Sequence, residues 1–136
     1  MSKLPVVRDF MDKVVPTLSP DTGILEAVDF LLDKHVTGAP VVDTTGAVVG
    51  MVTEKDCLRL LSTGMEADVP RGVVRDFMTT EVAWVPPDMN IYFVAGLFLK
   101  ANYRRLPVID KGTLVGAITR FDILRVIQSN LKSNGA

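Results

Sequence analysis

Two segments of the chain place an aspartate three residues after a threonine: Gly50-Met51-Val52-Thr53-Glu54-Lys55-Asp56 and Gly116-Ala117-Ile118-Thr119-Arg120-Phe121-Asp122. In each, a short apolar run ends at the threonine and a helical pattern begins. Thr at a helix start with an acid three residues on is capping chemistry: the hydroxyl oxygen satisfies a free backbone N–H, and the acid reaches back. The same groups suit a ligand. A helix N-terminus offers unpaired N–H groups and partial positive charge to an anion such as phosphate. A hydroxyl there can donate to a phosphate or sugar oxygen, and a carboxylate one turn in can accept from vicinal hydroxyls, as on a ribose. The spacing is compatible with both roles and does not choose between them.

The elements that must position these groups come in duplicate. Val6-Val7-Arg8-Asp9-Phe10-Met11 recurs as Val73-Val74-Arg75-Asp76-Phe77-Met78, at an offset of 67. At that offset Pro20-Asp21 meets Pro87-Asp88, Ile24 meets Ile91, and Pro40-Val41 meets Pro107-Val108. One residue is lost in a Gly-containing turn, after which Val49-Gly50 meets Val115-Gly116, Thr53 meets Thr119, Asp56 meets Asp122 and Leu58-Arg59 meets Leu124-Arg125. About 20 of about 55 aligned positions are identical, which makes this an internal repeat. We divide the chain into repeat 1, residues 1–64, and repeat 2, residues 65–136, with the polar stretch Ser62 to Gly72 as linker.

Each repeat reads β-α-β-β-α. In the first, Arg8 to Met11 is a helical turn and Val14 to Leu18 a short strand. The apolar spacing of Ile24, Leu25, Val28, Leu31 and Leu32 predicts an amphipathic helix. Pro40 to Asp43 and Val48 to Val52 form a hairpin around Thr44-Thr45-Gly46, and a second helix starts at Thr53. The second repeat runs Val82 to Val85, a helix from Met89 to about Ala101, Leu106 to Asp110, Leu114 to Ile118, and a helix from Arg120 to about Leu131. A unit of about 60 residues is marginal alone, because it buries little apolar surface. Two copies packed sheet to sheet about a pseudo-twofold axis, an α+β fold, would bury what one cannot.

Composition excludes several functions. Net charge is −1, which gives no bulk attraction to nucleic acid or to a membrane surface. One cysteine, Cys57, and one histidine, His35, exclude an intrachain disulfide and make thiolate or His-rich metal sites implausible. The N-terminus lacks a signal-peptide apolar region, and the longest apolar run, Ile91 to Leu99, is far short of the ~20 residues of a membrane span. A reducing cytoplasm is the expected compartment. Cys57 is expected to pack among Leu58, Leu60 and Leu61, His35 to end a helix, and Trp84 either to line a cleft or to fill space. Lys55, Arg59 and Arg125 read as solvated charges, and Arg120 as a possible ligand contact.

The paired "VRDFM" openings, the Ser19-Pro20-Asp21 and Pro87-Asp88 turns, the "APVVD" and "LPVID" strands and the two Gly-x-x-Thr-x-x-Asp segments together resemble a tandem CBS-domain pair, or Bateman module, over about residues 6 to 128. That family, named after cystathionine β-synthase, implies a stand-alone regulatory module that senses an adenine nucleotide (AMP, ADP or ATP) in clefts between its repeats and has no catalysis of its own. By the resemblance, one cleft uses Thr119 and Asp122 with Arg104 and Arg105, and Val14, Val15 and Val36 flank the base. The other uses Thr53 and Asp56 with Thr37 and Gly38, and Val82 and Tyr103 across the way. Arg104, Arg105 and Arg120 surround Thr119, whereas Thr37, Gly38 and Glu54 stand at the matching places. Guanidinium groups hold phosphate bidentately, so the Asp122 cleft is expected to be the better nucleotide site.

The helix beginning at Met89 is apolar nearly all round. With the family's habit of pairing, this leads us to expect a homodimer through Ile91, Val94 and Phe98. No cofactor is required on this reading; the regulated protein is another chain that the sequence does not identify. Alternatives are a structural adaptor with vestigial clefts, or a binder of S-adenosylmethionine or NAD. A small phosphohydrolase would need a nucleophile–base pair or a metal cluster, neither of which the sequence presents.

Overall fold

A computed structural model describes residues 4–62 and 71–133; most of the expected linker lies outside these residues. In chain order the elements are α1 (Ile24–Lys34), β1 (Gly38–Val42), β2 (Val48–Thr53), α2 (Glu54–Ser62), α3 (Ile91–Lys100), β3 (Arg105–Asp110), β4 (Thr113–Thr119) and α4 (Arg120–Ser133). One-turn 3-10 helices occupy Val7–Asp9 and Val74–Asp76. The architecture is α+β, with two antiparallel sheets, β1-β2 and β3-β4.

The hairpins form where short apolar runs, continuous in β1 and β3, flank a turn. Between β1 and β2, Asp43 accepts from the Thr45 hydroxyl at 2.6 Å, the Thr45 N–H at 2.9 Å and the Ala47 N–H at 3.1 Å. This network holds the carboxyl of Asp43 below its ordinary value, the Thr45 hydroxyl being the largest cause. Between β3 and β4 the turn is one residue shorter, and Lys111 and Gly112 both take positive φ, 52° and 83°, the tight two-residue geometry that matches strand twist.

The leading strand expected in each repeat is reduced to one bridge. Leu18 pairs in parallel with Val41, and Val85 with Val108. Prolines explain the shortness: Pro16 and Pro20 flank Leu18, Pro86-Pro87 follow Val85, and the partner strands carry Pro40 and Pro107, so most of the N–H donors that would extend each ladder are missing. The far edge of each sheet is also bridged, Thr79 exchanging two 2.9 Å hydrogen bonds with Met51 and Asp12 two of 2.9 Å with Ala117.

The chain forms two compact units, and they do not coincide with the sequence repeats. The central unit is Pro16–Val82; the outer unit joins the residues up to Val15 to those from Ala83 onward, both named for their place in the sequence. The two hexapeptides have therefore changed places. Val7 and Arg8 donate to the carbonyls of Met89 and Pro87, and Ile91 donates to that of Pro5. In the central unit Val74 and Arg75 donate to Thr22 and Pro20, and Ile24 donates to Gly72. Each "VVRDFM" thus docks on the turn that opens the first helix of the other repeat.

The two cores match position by position. Ile24, Val41, Val52 and Leu60 of the central unit are answered by Ile91, Val108, Ile118 and Val126 of the outer unit. The valines exchange with their hexapeptides: Val74 belongs to the central core and Val7 to the outer one. Such burial is worth roughly 1.5–3 kcal/mol for each large aliphatic side chain.

Ile91, Val94 and Phe98 lie inside the outer core, at 2%, 0% and 7% exposure, so they are not the free face of α3. Tyr92, Phe93 and Leu99 are. The correction follows from helical geometry: Val94 and Phe98 are four apart and share one face with Ile91, and that face is consumed by the core.

Candidate functional site

Both Thr-x-x-Asp segments sit where strand runs into helix, and both are closed as caps. In the outer unit the Thr119 N–H and hydroxyl donate to Asp122 Oδ2 at 2.8 and 3.0 Å, and the Asp122 N–H donates to Thr119 Oγ1 at 3.2 Å. In the central unit the corresponding distances at Thr53 and Asp56 are 2.9, 3.1 and 3.4 Å. The carboxylates are buried, at 4% and 2% exposure. Capping of this kind is worth about 0.5–2 kcal/mol.

Each second carboxylate oxygen meets an arginine one turn on. Arg125 makes a short ion pair with Asp122 Oδ1, and its guanidinium lies 5.5 Å from the centre of the Phe121 ring. Arg59 reaches Asp56 Oδ1 at 3.3 Å. By sequence alone these two arginines read as solvated charges. Their match in the repeat, Leu58-Arg59 with Leu124-Arg125, was the signal that they share a role.

The outer unit opens a cavity of about 400 Å³ beside its Thr-Asp pair, within the roughly 300–1,000 Å³ range of small-molecule pockets. Phe10, Met11 and Asp12 wall it on one side, and Arg105, Thr119, Phe121, Asp122 and Arg125 on the other. The first three come from the hexapeptide and the residue after it, which the exchange brings onto this unit; nothing in the sequence repeat says which copy each opening joins. Arg105 enters through the register of the sheet, being paired with Thr119 across β3 and β4. Its Nε is buried without a hydrogen-bond partner, a donor lacking an acceptor.

At the matching place in the central unit stands Gly38, paired with Thr53. That site has no guanidinium there, and a Cβ on Gly38 would come within 3.1 Å of the Val52 carbonyl. Glycines also fix the approach of the hexapeptides. A Cβ on Gly50 would meet Met78 Sδ at 2.5 Å, and one on Gly116 would meet Met11 Sδ at 2.7 Å and the Asp12 carbonyl at 2.8 Å. The glycine of each Gly-x-x-Thr-x-x-Asp segment is therefore the seat of the methionine of a "VRDFM".

The remaining expected site residues divide as follows. Thr119, Asp122, Arg104, Arg105, Arg120, Val14, Val15 and Tyr103 belong to the outer unit. Thr53, Asp56, Val36, Thr37, Gly38 and Val82 belong to the central one. Arg104 is exposed and is not among the cavity walls. Arg120 donates to Asn102 Oδ1 at 3.3 Å. The cation set of the cavity is thus Arg105 and Arg125. Thr37 contributes its carbonyl, which accepts from the Glu54 N–H at 2.8 Å. Trp84 is half exposed, and His35 ends α1 in the left-handed conformation at φ 54°. Burial, followed by the charge of Asp56, pushes the Cys57 thiol above its ordinary value. Among the described residues no group of three or more His, Cys, Asp or Glu gathers to hold a metal, and no helix is long and apolar enough to cross a membrane.

The family model for the CBS domain matches the chain twice, over residues 7–63 and 74–129. The chain belongs to the CBS domain family. Among curated relatives of this CBS chain, the protein MJ1225 of Methanocaldococcus jannaschii is 33% identical over 128 residues, covering 94% of the chain and 45% of the relative. The CBS domain-containing protein YhcV of Bacillus subtilis is 34% identical over 131 residues, covering 96% and 90%. The CBS chain thus spans less than half of the first relative and nearly all of the second. Of solved structures, CBSX2 of Arabidopsis thaliana in complex with AMP superposes with a TM-score of 0.79 at 34% identity, covering 91% of the chain and 96% of CBSX2. The CBS domain pair of MJ0100, in complex with 5′-methylthioadenosine and S-adenosylmethionine, gives 0.77 at 26% identity, covering 93% and 98%.

Proposed function

We propose that this CBS pair is a regulatory sensor that binds an adenosine phosphate, AMP first among candidates, in the cavity of the outer unit and catalyses nothing. The observation that carries the proposal is the joining, in one cavity, of a capped carboxylate and a buried guanidinium N–H without an acceptor. Asp122 is held in place by Thr119 and faces a space that a ribose fits. Arg105 supplies a phosphate with a charge-assisted donor. Phe10, Met11 and Phe121 provide apolar wall. AMP in the related CBSX2 supports the choice of ligand.

The Asp56 site of the central unit is the weaker one, because Gly38 stands where Arg105 would. Arg104 and Arg120 act at most on the approach of the anion, and Val14 and Val15 are the outer unit's candidates for the base. A second reading, a ligand of the S-adenosylmethionine type, is favoured by Asp12, whose carboxylate suits a cationic group. MJ0100 binds such a molecule.

The sensor acts as a homodimer through the exposed face of α3, Tyr92, Phe93 and Leu99, and regulates another cytoplasmic chain. Thermal shift of the full chain against AMP, ADP, ATP, S-adenosylmethionine and NAD is the first test. Stabilisation by AMP without phosphate release is the expected result. No stabilisation by any of the five would leave an adaptor with empty clefts.

A further inference from the structure

The two carboxylates differ in how many acceptor positions they have left. An ionised carboxylate has about four lone-pair sites. Asp56 fills them: Thr53 N–H and hydroxyl on Oδ2, then Arg59 at 3.3 Å and the Thr79 hydroxyl at 3.5 Å on Oδ1. Asp122 has the same two donors on Oδ2 and Arg125 on Oδ1. The residue that matches Thr79 is Asp12, which brings a carboxylate in place of a hydroxyl and whose Oδ1 already accepts from the Val14 N–H at 3.0 Å. A vicinal diol needs two acceptor positions, and Asp122 has one to spare.

One present donor must therefore leave when a diol binds. The Thr119 N–H is backbone at the junction of β4 and α4 and stays. The Thr119 hydroxyl is tied on both sides, donating to Oδ2 and accepting from the Asp122 N–H. Arg125 is different: its side chain is 59% exposed while the carboxylate is buried, so of the three donors it alone lies outside the cap and can swing away without opening the start of α4. It also lines the cavity, so once released it is already beside the ligand.

We infer that Arg125 is an exchange residue: a ribose diol displaces its guanidinium from Asp122 Oδ1, and the freed guanidinium turns to the phosphate of the same ligand. Sugar recognition and phosphate recognition are thereby coupled through one side chain. The inference rests on the adenosine phosphate reading above but makes a demand that reading does not. For a ligand with the diol and no phosphate, Arg125 is a competitor; for one with both, it is a partner.

Calorimetric titration of the full chain with adenosine and with AMP, in wild type, Arg125→Gln and Arg125→Lys, tests it. Arg125→Gln is expected to weaken AMP by roughly ten- to a hundredfold, the loss of a hydrogen bond to a charged group. It should leave adenosine unchanged or tighten it by at least about fivefold, since the competing ion pair is worth about 1 kcal/mol even when fully exposed and here has a buried carboxylate. Arg125→Lys should recover part of the AMP loss. Equal weakening of both ligands would show that Arg125 only orients Asp122, and no change for either would show that it never meets the ligand; both overturn the exchange while leaving the nucleotide reading intact. A wild-type chain that binds neither ligand removes the nucleotide reading and the exchange together.

Discussion

Gly116→Ala sets two known effects against each other. In a free strand the change would stabilise, by roughly 0.5–1 kcal/mol of chain entropy. Here the new Cβ would stand 2.7 Å from Met11 Sδ and 2.8 Å from the Asp12 carbonyl oxygen. The methionine can swing aside. The carbonyl cannot, because Asp12 and Ala117 exchange two hydrogen bonds of 2.9 Å. Overpacking costs about 1–3 kcal/mol, and against a fixed carbonyl the upper half of that range applies, so after the entropic gain the net loss is about 1–2 kcal/mol. For a domain of this size that lowers Tm by roughly 4–8 °C, read by differential scanning calorimetry or urea unfolding. Combining Gly116→Ala with Met11→Ala should show a coupling above about 0.5 kcal/mol, since the sulfur is one of the two obstacles. A Gly116→Ala chain that melts at or above wild type would refute the docking of the first hexapeptide on β4.

Three further outcomes are expected. If Asp122 holds the ribose diol, 2′-deoxy-AMP should bind roughly ten- to a hundredfold more weakly than AMP, and equal affinities by calorimetry would remove that contact. The depressed carboxyl of Asp43 contributes stability that is present above its unfolded value of 3.8 and is lost as pH falls through the folded value; NMR titration should place its midpoint below 3.8, and Asp43→Asn should flatten the acid limb of the stability curve. Phe93→Glu with Leu99→Glu should give a monomeric mass by light scattering at micromolar concentration while leaving the melting of each chain's core little changed; a wild type that is itself monomeric would count against the dimer.

Much of the fold was legible because its signals are local. The period of Ile24, Val28, Leu31 and Leu32 marks α1, and the turn residues around Gly46 and Gly112 mark the hairpins. The leading strands shrink for a reason that is also local: apolar residues at Val14 to Leu18 and Val82 to Val85 suggest strands, yet neighbouring and facing prolines remove most of the donors and leave a single bridge in each. The exchange of the hexapeptides was not legible at all. Identical letters dock equally well on either repeat as far as pattern goes, and the choice is made by chain connection and packing. With it went Phe10, Met11 and Asp12 as cavity walls. Thr119 and Asp122 stood out as a candidate pair by their spacing, whereas Arg105 was named, beside Arg104, only through the family resemblance; the register that pairs Arg105 with Thr119 is visible only in the structure. Arg125 was hidden by the habit of reading a charge on an exposed helix face as solvated, although the repeat placed it three residues after both aspartates.

The matched pair of caps supplies its own control for the central claim. Asp122→Asn and Asp56→Asn remove the same charge from matching Thr-Asp caps, so their structural costs differ mainly by the Thr79 hydrogen bond that Asp56 alone accepts, whereas their ligand costs need not match. Calorimetric titration of AMP into the full chain should give a single dominant site, abolished by Asp122→Asn and retained by Asp56→Asn. Equal loss in both variants, or loss in Asp56→Asn alone, would contradict the assignment of the nucleotide site to the outer unit.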